Sequence, residues 1–226
     1  MRIVFLSDIH SKFDQLKNLP DGDIIIIAGD VTSVGYLTEV EYFVEWFNNL
    51  NYEYKIFIAG NHDFLFEKQP FLVKEILKSK DIIYLEDSEI IINGLKFYGT
   101  PISKIFNEWA FNRNDEQREL HWSNIPDDVD ILITHELPYG ILDNLHDFTH
   151  MGCHLLKHQY EMQRIKPLVH VFGHNHYSYG IEQHDDTLFI NASILDERYY
   201  IKNKPIVVDI DEEKNIKVIF NNEKYT

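Results

Sequence analysis

Lys55-Ile56-Phe57-Ile58-Ala59-Gly60-Asn61-His62-Asp63 is the stretch on which the reading of this chain turns. An apolar run at 55–59 stops at a glycine. An amide, an imidazole and a carboxylate then follow in consecutive positions. A short buried strand that opens into a turn of cation-holding side chains has this form. Upstream, 24–28 is Ile and Ala throughout and stops at Gly29-Asp30. Between the two runs, 38–50 carries Val40, Phe43, Val44 and Phe47 at helical spacing. Thr38 with Glu41 three residues on reads as a capping box. Strand, helix, strand in this order predicts parallel strands joined by right-handed crossovers. The run 3–6 repeats the pattern and ends in Ser7-Asp8-Ile9-His10.

Further along, 89–93 and 95–99 flank Asn93-Gly94, a strong two-residue hairpin signal. Residues 130–134 and 168–172 read as buried strands, and 187–191, 206–210 and 216–220 as a strand-rich tail with a hairpin turn at 211–215. The stretch 102–128 is rich in aromatic and charged residues and poor in periodicity, and reads as a long loop over a site. The expected architecture is α/β, with two packed sheets, helices outside, and a single domain over 1–226.

The 226 residues include 21 Lys+Arg and 37 Asp+Glu, a formal charge of −16. Such a body repels a long nucleic acid, and its basic residues are scattered, so a long nucleic-acid partner is not expected. Small anionic substrates stay open, because bound divalent cations invert the local field. No run approaches the roughly 18 apolar residues of a membrane span, and the first ten residues meet Asp8 too early to form a signal peptide or anchor. The single cysteine, Cys153, excludes an internal disulfide and fits a reducing cytoplasm. No feature indicates an oligomeric state. Twelve histidines beside one cysteine direct attention to metals.

Five apolar runs end at metal-capable side chains: Asp8 and His10, Asp30, Asn61 to Asp63, His135 with Glu136, and His174 to His176. Ligands of open α/β sheets bind at the carboxyl ends of the strands, so these segments should converge. Asp, Asn and neutral His suit Mn, Fe, Zn, Co or Ni, and the lack of thiolates excludes a structural cysteine site. Seven candidates exceed the needs of one tetrahedral ion. Two ions sharing a carboxylate is the economical reading, and such a pair serves phosphoryl transfer. Glycines before Asp30, Asn61 and His174 permit the sharp turns this needs.

Asp8-Ile9-His10, Gly29-Asp30, Gly60-Asn61-His62-Asp63, His135 and Gly173-His174-Asn175-His176 together resemble the signature of calcineurin-like metallophosphoesterases. Phe57 to Asp63, Trp109-Ala110-Phe111, Gly152-Cys153, His170 to His174 and Asn191-Ala192-Ser193 further resemble the metallophosphoesterase-domain-containing branch known from animals, which is similar to class III cyclic nucleotide phosphodiesterases. The resemblance implies a four-layer α/β/β/α sandwich. It also implies two divalent ions, with Mn favoured: one held by Asp8, His10 and His176, a second by Asn61, His135 and His174, and Asp30 between them. His62 would protonate the leaving oxygen, steadied by Asp63, while a hydroxide held between the ions attacks a small phosphodiester. A cyclic nucleotide is the first substrate expected. The alternatives are a phosphomonoesterase on a nucleotide or phosphoprotein, a nuclease, or a catalytically slow nucleotide-binding module.

Other features carry milder expectations. His146, His150, His154 and His158 recur every four residues, and a solvated helical face outweighs a second metal stripe because Gly152 interrupts them. Trp109, Phe111 and Trp122, with Phe106, read as loop packing or as a wall for a base. Trp109, Phe111 and Asn191 are the candidate substrate contacts. Arg113 and Arg118 read as solvated, and Cys153 as a small buried hydrophobe.

Overall fold

A computed structural model describes residues 1–147 and 149–219. Strand β1, Arg2–Leu6, sends Ile3 and Phe5 into one apolar layer and Val4 and Leu6 into another. Strand β2, Ile24–Ala28, divides Ile24 and Ile26 from Ile25 and Ile27 in the same way. Strands buried on both faces have no solvated side, which is why they read as unbroken apolar runs rather than as alternation. With β3, Tyr54–Ile58, and the short β4, Ile83–Tyr84, they form a parallel row. Helix α1, Leu37–Asn48, crosses between β2 and β3 and buries Val40, Phe43, Val44 and Phe47. Helices α2, Phe64–Lys68, and α3, Pro70–Leu77, lead from β3 to β4.

The chain then builds a second sheet. Strands β5, Ser88–Ile92, and β6, Leu95–Thr100, form the expected hairpin. Asn93 and Gly94 turn it with φ of 50° and 79°, the left-handed pair that matches strand twist. A small parallel pair follows, β7, Ser103–Lys104, and β8, Asn112–Arg113, and then α4, Asp115–Ser123. Strand β9 is Ile131–Thr134, α5 is His154–Glu161, β10 is Val169–Phe172, β11 is Gly180–His184 and β12 is Thr187–Asn191. Strands β6, β9, β10 and β12 run parallel, and β5 and β11 are antiparallel edges. The chain returns through β13, Ile206–Ile210, antiparallel to β1, and β14, Ile216–Ile219.

The described residues thus form two six-stranded sheets, ordered β14-β13-β1-β2-β3-β4 and β11-β12-β10-β9-β6-β5. Ile3, Phe5, Ile26 and Ile56 meet Phe97, Ile131, Ile133 and Val171 between the sheets. On the outer faces, α1 covers the first sheet, while Trp122 of α4 and Leu156 of α5 pack with Leu132 of the second. This is the expected mixed α/β architecture, helices flanking two sheets. Among the described residues no helix is long and apolar enough to cross a membrane.

Four local expectations are corrected. Glu39, not Glu41, caps α1, because the helix begins two residues earlier and the Glu39 carboxylate accepts the Tyr36 N–H at 3.0 Å. The stretch 102–128 is not one loop. Asn114 caps α4 by accepting from Gln117 N at 2.9 Å, and the helix buries Trp122 and Arg118. Arg118 is therefore not solvated: its guanidinium lies 2.6 Å from Asp115 and 2.9 Å from Cys153 Sγ. The four-residue histidine series spans a turn, a loop and α5 rather than one helix. All four side chains are exposed, His150 pairing with Asp143 at 2.6 Å and His154 stacking on Tyr139. Phe220, expected at the end of the last strand, lies outside the described residues.

Candidate metal centre

The two sheets are stitched together at the carboxyl ends of their strands. Ser7, just past β1, donates its N–H to Ala192 O at 2.8 Å, and its carbonyl accepts Ile194 N at 3.1 Å. This seam brings the turn after β1 against the turn after β10. The Asp8 carboxylate accepts the His174 N–H at 3.0 and 3.1 Å. Asp30 after β2, Asn61 after β3 and His135 after β9 reach the same place.

Their backbone is unusual. Asp8, His10, Asp30 and His174 are all left-handed, with φ of 56°, 44°, 50° and 67°. Such conformations cost on the order of 1–3 kcal/mol each for side chains of this kind and persist where the surroundings over-determine them. Two glycines make the approach possible. A Cβ at Gly60 would collide with the Asp30 carboxylate and the His135 ring, and one at Gly173 with Ser7 Oγ and Asp8 Oδ2.

Among the described residues, three overlapping groups offer ligand atoms within 4.8 Å of one another: Asp8 with His10 and His176; His10 with Asp30 and His62; and Asp30 with His135 and His174. His10 and Asp30 are each common to two. Asp30 Oδ2 lies 3.3 Å from His135 Nε2, 3.6 Å from His10 Nε2 and 4.0 Å from His62 Nε2. His176 Nε2 is 3.5 Å from Asp8 Oδ1, and Asn61 Oδ1 is 3.0 Å from His135 Nε2. The seven expected ligand residues therefore lie together, with His62 at their edge.

Backbone carbonyls aim the rings. His135 Nδ1 is 2.9 Å from Ala28 O, His176 Nδ1 3.0 Å from Asp196 O and His62 Nδ1 2.6 Å from Ser33 O. Each carbonyl accepts a proton from Nδ1 and so leaves Nε2 facing the cluster. These partners carry no side-chain signature, so the sequence could not reveal them. Asp63 does not touch the His62 ring. Its carboxylate instead accepts Gly60 N at 2.7 Å, Val31 N at 3.1 Å and Thr32 N at 2.8 Å, bracing the segment that ends at Ser33.

The charges are unevenly distributed. Burial alone would neutralise Asp8 and Asp30, but neighbouring histidines outweigh it, holding Asp8 at about 2 and Asp30 well below the usual carboxylate range. Burial pushes His10 and His174 down to about 4, so both are neutral imidazoles. His135 is pulled the other way. Burial opposes its charge, yet Asp30 and Asp8 raise it to about 10. Burial, with the negative Asp30 nearby, pushes Asp63 up to about 6.

The residues present fit divalent cations. His10 is almost fully buried, and neither ring nitrogen has a hydrogen-bond partner among the described residues. A buried imidazole left so is costly unless a ligand takes its lone pair. The surrounding carboxylates and neutral imidazoles are the donor set that borderline divalent ions prefer.

The sequence pattern of calcineurin-like phosphoesterases matches residues 1–178. The chain belongs to the calcineurin-like phosphoesterase family. This family identifies the chain as a metal-dependent phosphoric ester hydrolase. The phosphoesterase is 38% identical over 237 residues to human metallophosphoesterase domain-containing protein 1, covering 95% of this chain and 72% of the relative. It is 35% identical over 229 residues to the Caenorhabditis elegans UPF0046 protein C25E10.12, covering 93% and 81%. Its fold superposes on the crystal structure of TT1561 from Thermus thermophilus with a TM-score of 0.67 at 12% identity, covering 96% and 97% of the two chains.

Two of the three expected substrate contacts are corrected. Phe111 is 1% exposed and packs in the core. Asn191 is fully buried, donating to Asn175 O at 2.9 Å and accepting Ser193 N at 3.1 Å. Neither offers a surface to a substrate. Trp109 is half-buried and lies tilted by 32° over His62, ring centroids 4.1 Å apart. Tyr199, which sequence reasoning passed over, stands beside His10 and His176.

Proposed function

We propose that this phosphoesterase is a phosphodiesterase that uses two divalent ions, Mn favoured, on a small phosphodiester, with cyclic nucleotides as the first substrate class. The observation that carries the reading is the position of Asp30 between the two sets, its Oδ2 3.6 Å from His10 Nε2 on one side and 3.3 Å from His135 Nε2 on the other. In it, Asp8, His10 and His176 hold one ion, Asn61, His135 and His174 the other, and Asp30 both. Such ions supply Lewis-acid stabilisation of phosphoryl charge and a nucleophilic water near neutral pH.

The chain's own residues do the remainder. The Ser33 carbonyl fixes the His62 ring so that Nε2 points over Asp30, where a leaving oxygen would depart. From there His62 donates a proton, a contribution of about 10²–10⁴-fold. Asp63 keeps the Ser33 segment in place. Trp109 confines His62 from one side. The branch resemblance supports the diester preference, and the charge of −16 favours a small substrate over a polymer. The single buried cysteine is in keeping with a cytoplasmic setting.

The test is hydrolysis by Mn-loaded protein of 2′,3′- and 3′,5′-cyclic nucleotides, an aryl diester and the matching monoester, with Asp30→Ala as control. The expected result is turnover of diesters well above the monoester, lost in the control. Monoester preference would replace the reading with a phosphatase. Silence across the panel with two metals bound would replace it with a binding module.

A further inference from the structure

Tyr199 occupies a position that packing alone does not require. It is 44% exposed, yet its backbone is left-handed, with φ of 61°. A bulky residue rarely adopts this conformation unless its surroundings impose it. Asp196 imposes it here. The Asp196 side chain accepts Arg198 N at 3.0 Å and Tyr200 N at 2.9 Å, and its carbonyl accepts Tyr199 N at 2.8 Å. The same carbonyl orients His176. One residue thus fixes both a site histidine and the aromatic ring beside it.

The ring is aimed at the cluster. Its centroid is 4.9 Å from that of His10, at 71°, and 5.1 Å from that of His176, at 64°, so it meets both edge-on. The His10 ring is in turn 4.5 Å from His62, and His62 is 4.1 Å from Trp109. Tyr199 and Trp109 therefore stand at the two ends of a row of four rings whose middle members belong to the reactive centre.

We propose that Tyr199 is a specificity-determining residue, one wall of the substrate pocket, which selects phosphoesters carrying a planar aryl or nucleobase group. The inference rests on the phosphoester reading of the site. A phosphoryl group at the cluster places its organic substituent beside whatever rises at the rim. At the His10 end that is an exposed aromatic face, against which a planar group stacks and a small alkyl group does not.

The test compares phenylphosphonate with methylphosphonate, neither of which is hydrolysed, by calorimetric titration into Mn-loaded protein. Wild type is expected to bind the phenyl compound at least tenfold more tightly. Tyr199→Leu, apolar but not aromatic, is expected to lose most of that ratio, and Tyr199→Phe to keep it within about twofold, metal content being equal in all three. A purely structural Tyr199 would weaken both phosphonates together and leave the ratio unchanged, which would overturn the proposal. So would a wild-type protein that binds both equally, although the phosphoester reading would then stand. Binding of neither would overturn the proposal together with that reading.

Discussion

The Nδ1 atom of His62 lies 2.6 Å from the carbonyl oxygen of Ser33. That contact settles which ring nitrogen faces the cluster. Ser33 is itself held from three sides. Its N–H donates to Glu39 Oε1 at 3.0 Å, its hydroxyl to His10 O at 3.1 Å, and its segment is tied to Asp63 through Thr32. The Glu39 carboxylate also accepts Ser11 Oγ, Val34 N and Tyr36 N.

His62→Ala should therefore retain metal and lose about 10²–10⁴-fold in kcat. Glu39→Ala, which removes an acceptor of the Ser33 N–H, should lose about 10–100-fold. Metal analysis and steady-state rates check this. A metal-free His62→Ala protein would contradict it.

Asp30→Ala should abolish activity and release metal, because one carboxylate serves two ligand groups. Asn61→Ala removes a single proposed ligand, 3.0 Å from His135 Nε2, and should leave about one metal per chain. Elemental analysis after exhaustive dialysis separates the two.

Metal binding should release protons. His135 is held at about 10, so it is protonated at pH 7 without metal. An ion at Nε2 must displace that proton, and affinity should rise with pH through the neutral range. Calorimetric titrations in buffers of different ionisation heat measure the release directly.

His170 should weaken the fold in acid. It is fully buried between Thr134 Oγ1 and Tyr160 OH, each at 2.8 Å, and burial pushes it down to about 3. Its ordinary value is 6.5. The unfolded chain therefore binds the extra proton between those values, and stability falls as pH drops through the window, by up to about 1.4 kcal/mol per pH unit. His170→Gln should be less stable at pH 7 but show a flatter dependence in denaturant titrations between pH 4 and 7.

Gly173→Ala should cost about 1–3 kcal/mol, because its Cβ meets Ser7 and Asp8 at the seam. It should weaken metal binding as well. Gly140→Ala, where a Cβ has open space but φ is +76°, should cost about 1 kcal/mol and leave metal affinity unchanged. Thermal melts and metal titrations report both.

The doubly buried strands and the chemistry at their ends are legible in the order of residues alone. The run 24–28 is too apolar to lie anywhere but between two covering layers, and its bounds agree with β2. Asp8, Asp30, Asn61, His135 and His174 were legible because each follows directly on such a run, and parallel strands deliver their carboxyl ends to one edge. Helix α4 was not legible. Only tertiary contacts make Arg118 and Trp122 an inward face, and composition alone suggests a loop. The reach of Asp8 to His174, the left-handed backbone at both, and the carbonyls of Ala28, Ser33 and Asp196 were decided by the tertiary structure alone. A main-chain oxygen is the same in every residue, and only packing the two sheets at the Ser7 seam determines which one meets a histidine.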